Sequence, residues 1–356
     1  MDGGTAGASG EALPRVSVVI PVRDEQGSLG PCLDAVMAQT YPVEALEILV
    51  VDGGSRDGTL DLARRYAERY PHIELLSNPA GTIPAGLNVG IRASRGDIIA
   101  RVDARARLAA DYLETAVALL ATSGADNVGG PVRSASRTAT GQALALAWSS
   151  RLGLGSAAAR YGEGQEHWAD TVYLGVVPRR VFESIGLYDE TIVQDEDSEF
   201  NYRLRARGGR VLVSPRLRSL YTNDPSLRRI ARKNFQFGAA KVAVWRKHPA
   251  MLSPRHFVPP IFVAVLALGP VALWTGGLAA DLWLILMGSY ALACLTVAAR
   301  AYFQRRERGA LLLPLVLAVI HASWGAGFLV GALRLSGWRD RPATVLARED
   351  QPETAR

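Results

Sequence analysis

Three long apolar runs close the chain, and they limit what it can fold into more than any other feature. Residues 257–276, 282–299 and 311–333 are each on the order of 20 residues, enough to cross a hydrocarbon core as helices. A buried pair of soluble helices is the alternative. Three such runs in succession, however, would need a larger core than a chain of 356 residues supplies beside its other elements. Basic residues flank the runs: Arg246, Lys247 and Arg255 before the first, and Arg305, Arg306 and Arg308 between the second and third. In those places they read as anchors at an anionic membrane surface. That reading also accounts for the net charge of +6 without nucleic acid, for which no recognition module is present.

The positive-inside rule puts both basic flanks in the cytoplasm. Three full crossings would then export a tail that carries Arg339, Arg341, Arg348 and Arg356. Either the tail is exported despite its arginines or one run is re-entrant, and Pro259, Pro260 and Gly269-Pro270 make the first run the suspect. The first fourteen residues, rich in Gly, Ala and Ser, lack the apolar core of a signal peptide and are expected to be disordered. The expectation is a multi-pass protein of the cytoplasmic (inner) membrane with its large domain in the cytoplasm. Cys32 and Cys294 lie too far apart in character and sequence to form a disulfide framework or zinc site.

Before the apolar runs, "VSVVI", "LEILVV", "IELLS" and "GDIIARVDA" read as strands. "SLGPCLDAVMAQ" and "DGTLDLARRYAERY" read as helices between them, the second with Asp57 as N-cap. This alternation predicts a parallel sheet covered by helices, with ligands at the carboxyl ends of the strands. Polar strings stand at those ends: "PVRDE", "DGGSRDGT" and "DAR". Residues 129–175, rich in Gly and Ser, are expected to form longer loops, and "EDSEFNYRLRARGGR" a helix closed by Gly208 or Gly209.

In "VVDGGSRDGT", Asp52 can hydrogen-bond a nucleobase or ribose while Gly53 and Gly54 let backbone approach; a tight turn before an N-capped helix is the plain alternative. Together with "IPVRDE", this string resembles the nucleotide-binding half of the family 2 glycosyltransferases. The resemblance implies an α/β GT-A (Rossmann-like nucleotide-diphospho-sugar transferase) domain, and it extends to the membrane-anchored, succinoglycan-glucosyltransferase type. It assigns Pro21, Arg23, Glu25, Asp52 and Gly53 to a nucleotide sugar, expected to be UDP-linked. Asn88, in "GLNVGIRASRGD", is either near the nucleotide or a helix cap.

The same resemblance makes "VDAR" the acidic motif that holds a divalent metal, Mg²⁺ or Mn²⁺, through Asp103. Arg105 stands where a second ligand is often found; a guanidinium cannot ligate a cation but can pair with a phosphate. In "QDEDSEFNYRLRARG" the family's catalytic acid pair falls on Glu196 and Asp197, with Asp197 the base; complementing a helix dipole is the alternative. Asp170 and Tyr173 are expected to line an acceptor pocket. "RKNFQFGAAKVAVWRKHP" stands where processive synthases carry a QxxRW motif, which is absent; Phe235, Phe237 and Trp245 with Lys241, Arg246 and Lys247 suggest an interfacial helix. An ordinary surface helix is the alternative.

The expected division is a disordered N-terminus (1–14), the GT-A domain (15–240), a basic amphipathic linker (241–256), a transmembrane region (257–335) and a polar tail (336–356). The implied reaction is inverting transfer to a lipid-linked saccharide at the membrane. The alternatives are a polyprenyl-phosphate glycosyltransferase, a polysaccharide synthase, and a non-catalytic scaffold with a degenerate nucleotide-sugar fold.

Overall fold

The computed structural model describes residues 13–154, 164–222 and 225–334. Residues 1–12, the expected tail and part of the expected loop region lie outside the described residues. The first half alternates as its sequence pattern requires: β1 (Val16–Val22), α1 (Gln26–Met37), β2 (Leu46–Asp52), α2 (Thr59–Arg69), β3 (Ile73–Ser77), α3 (Ile83–Ala93) and β4 (Ile98–Arg101). All seven residues of β2 are buried, as the β-branched composition of a two-sided parallel strand demands. Alternate residues serve opposite faces. Ile48 and Val50 join one apolar core, while Leu49 and Val51 join the other.

The chain continues through β5 (Ala106–Leu108), α4 (Tyr112–Ser123), β6 (Asn127–Gly130), β7 (Arg133–Ala135), α5 (Ala139–Ser149), α6 (Arg151–Leu154), β8 (His167–Trp168), β9 (Tyr173–Pro178) and α7 (Arg179–Ile185). Then come α8 (Glu196–Ala206), β10 (Val211–Val213), β11 (Ser219–Thr222), α9 (Leu227–Lys247), α10 (Val258–Thr275), α11 (Gly277–Arg305) and α12 (Leu313–Arg334). The large sheet has the order β3-β2-β1-β4-β9-β6-β10-β8, and β5-β11-β7 form a small second sheet. Strands β1 to β4 run parallel, so the loops that follow them share one edge. Strand β9 enters antiparallel between β4 and β6.

Four expectations change. Residues 129–154 are more regular than their glycine content suggested, since the apolar face of α5 (Ala143, Leu144, Leu146, Ala147) packs into a third core. Gly58, not Asp57, occupies the N-cap of α2; Asp57 instead accepts from Thr59 N (2.9 Å) one residue further on. Helix α9 runs unbroken through the expected boundary at 240: Gly238 lies within it, packed against α12, and the helix ends only at His248, before Pro249. The first apolar run is a continuous helix, α10: Pro259 sits in its opening turn, where a missing N–H costs nothing. Helix α8 does end as expected, with Gly208 at φ +83°.

Helices α10, α11 and α12, with the turns that precede α10 and α12, are long and apolar enough to cross a membrane.

Candidate active site

Three loops at the carboxyl edge of the parallel strands are tied into one structure. After β2, both Asp52 carboxylate oxygens accept from the backbone of its own turn: Oδ2 from Gly54 N (3.0 Å) and Ser55 N (3.2 Å), Oδ1 from Ser55 N (3.3 Å). After β1, Asp24 takes φ +53° and accepts from Arg56 N (2.7 Å), while its own N–H donates to Ser55 Oγ (3.0 Å). Gly53 N donates to Val22 O (2.8 Å), and Gly53 lies in close contact with the Gly81 backbone, a Cβ there standing 3.4 Å from Gly81 Cα. Arg23 Nη1 reaches Gly81 O (3.3 Å), and Pro21 packs beside Gly86.

The loop after β4 joins the first through Arg105, whose Nη2 lies 2.5 Å from Glu25 Oε1. Tyr221 also accepts from Arg105, which stays firmly protonated beside these partners although burial opposes its charge. The guanidinium is thus held by the protein rather than presented bare to a phosphate.

Arg101 decides the site. It stands at the end of a buried strand with its side chain 12% exposed. A charge buried so far needs partners. Its Nε donates to Asp103 Oδ1 (3.1 Å), and its Nη1 lies 2.9 Å from Glu196 Oε1. One side chain therefore connects the acidic motif after β4 to the first turn of α8. Burial would lower the pKa of Arg101, yet Asp103, Glu196, Tyr188 and Asp197 together hold it well above the ordinary value.

The opening of α8 is built for this. Asp195 sits at its N-cap with φ +72°, a conformation open to few side chains but tolerated by Asp. Asn201 donates to Thr171 Oγ1 (2.8 Å) and Asp197 O (2.9 Å) and accepts from Asn127 Nδ2 (2.7 Å), fastening the first turn to β6. The two acid residues then part company. Glu196 is buried against Arg101, while Asp197 is half-buried and accepts from Ser198 N (2.8 Å). Burial pushes the Glu196 carboxyl up to about 7, with Arg101 opposing and Asp197 and Asp103 adding to the rise.

Tyr173 lies beside Asp103, edge-on to Tyr221 (6.0 Å), with its hydroxyl buried and lacking a hydrogen-bond partner. Burial first and Asp103 second keep that hydroxyl protonated. It belongs to the Asp103 side of the cleft. Asp170 stands beside α8, further along it. It is largely exposed and pairs with Arg205 (2.9 Å). Nine residues along α8 separate Arg205 from Glu196, roughly 13 Å at 1.5 Å per residue. Asn88 is a correction. It is neither a helix cap nor open to a nucleotide, being 2% exposed inside α3. Its amide donates to Tyr188 O (2.8 Å) and Glu190 Oε1 (2.7 Å) and accepts from Tyr188 N (2.9 Å).

A hard divalent cation requires oxygen donors. Among the described residues no group of three His, Cys, Asp or Glu surrounds a metal position. Asp103 offers Oδ2, since Oδ1 is engaged by Arg101. The residues fit an ion that arrives with a diphosphate and keeps phosphate oxygens and water as its other ligands, the usual habit of Mg²⁺.

Arg101, Tyr188 and Tyr221 were missed from sequence, and Lys241 was read only as part of an interfacial helix. Only Arg101 left a signal there, as a cation ending the apolar strand "IIAR".

A mixed sheet with its polar loops gathered at one edge, an acidic motif after β4 and an acid pair opening α8 define a nucleotide-sugar transferase domain of the GT-A type. The family pattern described as "Glycosyl transferase family 2" matches residues 17–182. Glycosyltransferase AglE of Haloferax volcanii is 30% identical over 245 residues, covering 65% of this chain and 75% of that one. The protein belongs to glycosyltransferase family 2 and is a glycosyltransferase. Succinoglycan biosynthesis protein ExoA of Rhizobium meliloti is 29% identical over 316 residues, 87% of this chain and 93% of the relative. In fold the protein is similar to the mannosyltransferase PcManGT from Pyrobaculum calidifontis, solved with GDP-Man and Mn²⁺ (TM-score 0.57, 21% identity, 87% and 86% of the two chains).

Proposed function

We propose that this glycosyltransferase moves one sugar from a UDP-sugar to a saccharide carried on a membrane lipid, with inversion, during polysaccharide or exopolysaccharide assembly at the cytoplasmic face of the inner membrane. The Arg101 bridge carries the reading, because it makes Asp103 and the Glu196–Asp197 turn two walls of one cleft. The loops holding Pro21, Arg23, Glu25, Asp52 and Gly53 would take the nucleoside. Asp103 would hold Mg²⁺ or Mn²⁺, which when bound offsets charge on the departing diphosphate. Asp197, the more accessible of the acid pair, takes the proton of the acceptor hydroxyl. The freed oxygen lone pair then bonds to the anomeric carbon as the bond to the diphosphate breaks on the opposite face. Glu196 keeps Arg101 in place and does not face the acceptor.

The lipid acceptor is supported by α9. Its Lys241 pairs with Asp195, the residue next to Glu196, so the helix leading to the apolar segments adjoins the cleft. Membranes containing the protein, given labelled UDP-sugars and GDP-sugars in parallel, should pass label from a UDP-sugar into the lipid extract, and chelating divalent ions should stop it. Label released only as free sugar would overturn the lipid acceptor. Turnover that survives full chelation would remove the metal from the reading.

A further inference from the structure

The three apolar helices are not alike. The apolar windows of α10 and α11 are each 11% buried within the protein, whereas that of α12 is 39% buried. On α10 and α11 most large apolar side chains point outward, among them Ile261, Leu268, Trp274, Leu282, Ile285 and Leu292. The two helices meet at Gly276 and Gly277, at φ +67° and +58°, and lie against each other through Trp283, whose Nε1 donates to Val265 O (3.0 Å). They form a hairpin whose surroundings must be apolar.

Helix α12 touches the hairpin, where a Cβ at Gly325 would strike Pro259 O and Tyr290 Oη lies 2.9 Å from His321 Nδ1, but it also rests on catalytic-domain elements from its start into its second half. At its start, Leu313, Val316, Leu317 and Ile320 share a core with Ala143, Leu144 and Ala147 of α5. Just before it, Gly309 N donates to Gln142 Oε1 (3.2 Å). At mid-helix, His321 Nε2 is 3.0 Å from Leu152 O. Its second half packs on α9 almost backbone to backbone. A Cβ at Gly327 would strike Phe235 O, one at Gly331 would come within 3.1 Å of Ala239 Cα, and one at Gly238 would strike Trp324 O. The spacing between partners is the same for Gly327–Phe235 and Gly331–Ala239, so α9 and α12 run parallel.

Helix α9 is in turn fastened to the catalytic domain around α8. Lys241 pairs with Asp195, Lys247 with Asp189, and His248 Nε2 lies 3.0 Å from Glu199 Oε1. Arg228, Arg229, Arg232, Lys233 and Arg246 leave its exposed face charged. Placing such a helix in hydrocarbon would strip water from several basic side chains, which is strongly unfavourable. A helix of 22 residues is about 33 Å long, enough to cross a bilayer, but only if its ends stand on opposite sides. Both ends of α12 stand on the catalytic domain.

We infer that α12 lies along the membrane face beside α9, that among the described residues only the α10–α11 hairpin enters the bilayer, and that the tail after Arg334 stays on the catalytic domain's side. A hairpin enters and leaves by the same face. The basic stretch at Arg305, Arg306 and Arg308 and the tail arginines Arg339, Arg341, Arg348 and Arg356 then share one side of the membrane, as the positive-inside rule favours. The conflict raised by three crossings disappears, and α12 is the run that does not cross.

The inference stands whatever sugar is transferred, and its test needs no activity. In full-length protein carrying Cys32→Ala and Cys294→Ala, a single cysteine is placed in the tail (Ala343→Cys) or on the exposed surface of α2 (Glu68→Cys). A membrane-impermeant maleimide is applied to intact and to permeabilised spheroplasts. Both positions should label under the same condition; labelling of the two from opposite sides would overturn the inference. In the native sequence, tail fusions to a phosphatase active only after export and to a fluorescent protein active only without it give an independent readout. The fluorescent fusion should light up and the phosphatase stay silent, and the reverse pattern would also overturn the inference.

Discussion

Asp197 and Glu196 are neighbours in sequence, yet Asp197 is half-buried while Glu196 is buried against the Arg101 guanidinium. Asp197→Asn keeps the shape of α8 and removes the proton acceptor, so kcat should fall by roughly 10²–10⁴-fold with the donor KM little changed. Near-normal turnover by purified Asp197→Asn protein would exclude it as the base. Glu196 should show itself in stability against pH. Its folded pKa is raised from 4.5 to about 7, mainly by burial, with Arg101, Asp103, Asp197 and Tyr188 facing it. The folded protein therefore keeps a proton that the unfolded chain has already released in that window. Stability from this group is complete below the unfolded value, declines as pH rises from about 4.5 to about 7, and is level above that. Glu196→Gln should flatten the decline, measured as the urea midpoint between about pH 5 and about pH 8. An unchanged slope would assign the titration to another group.

Helix α8 depends on what is packed around it. Its acidic first turn, with Glu196, Asp197 and Glu199, suits the positive end of a helix dipole, and Arg203 and Arg205 suit the other end. That dipole pattern was readable in sequence. The Asn201–Asn127 link and the Lys241–Asp195 pair were not, because they join residues remote in sequence. Helices α9 and α12 make the same point through glycine. Gly327→Leu would force a side chain into Phe235 backbone and should cost about 1–3 kcal/mol or more. Gly288→Leu is the control, since a Cβ at Gly288 on α11 meets no atom within 4 Å. Thermal unfolding in detergent should show a lower Tm for the first and little change for the second. Equal Tm values would mean that the α9–α12 contact contributes little.

At the scale of the molecule, the catalytic domain and the helical segments are not two independent bodies. One apolar cluster contains Leu144 of α5, Ile230 of α9, Cys294 and Ala298 of α11, and Leu313 and Ile320 of α12. A chain ended after Leu252 would leave Ala143, Leu144 and Ile230 facing water and should aggregate or bind detergent rather than unfold cooperatively. Sedimentation together with urea titration measures this; a soluble monomer with a cooperative midpoint equal to that of the full chain would refute it. By itself the sequence determined the α/β alternation, the parallel edge where the polar loops gather, the family, and the existence of three long apolar helices. Each of these rests on local patterning: period two in strands, glycine at turns, unbroken apolar length. Only the tertiary structure decided that Arg101 links Asp103 to Glu196, that Asn88 is buried against Tyr188, and which apolar helix is most covered by protein. Those outcomes depend on contacts between residues far apart in the chain, and hydropathy cannot tell a side chain that meets lipid from one that meets another helix.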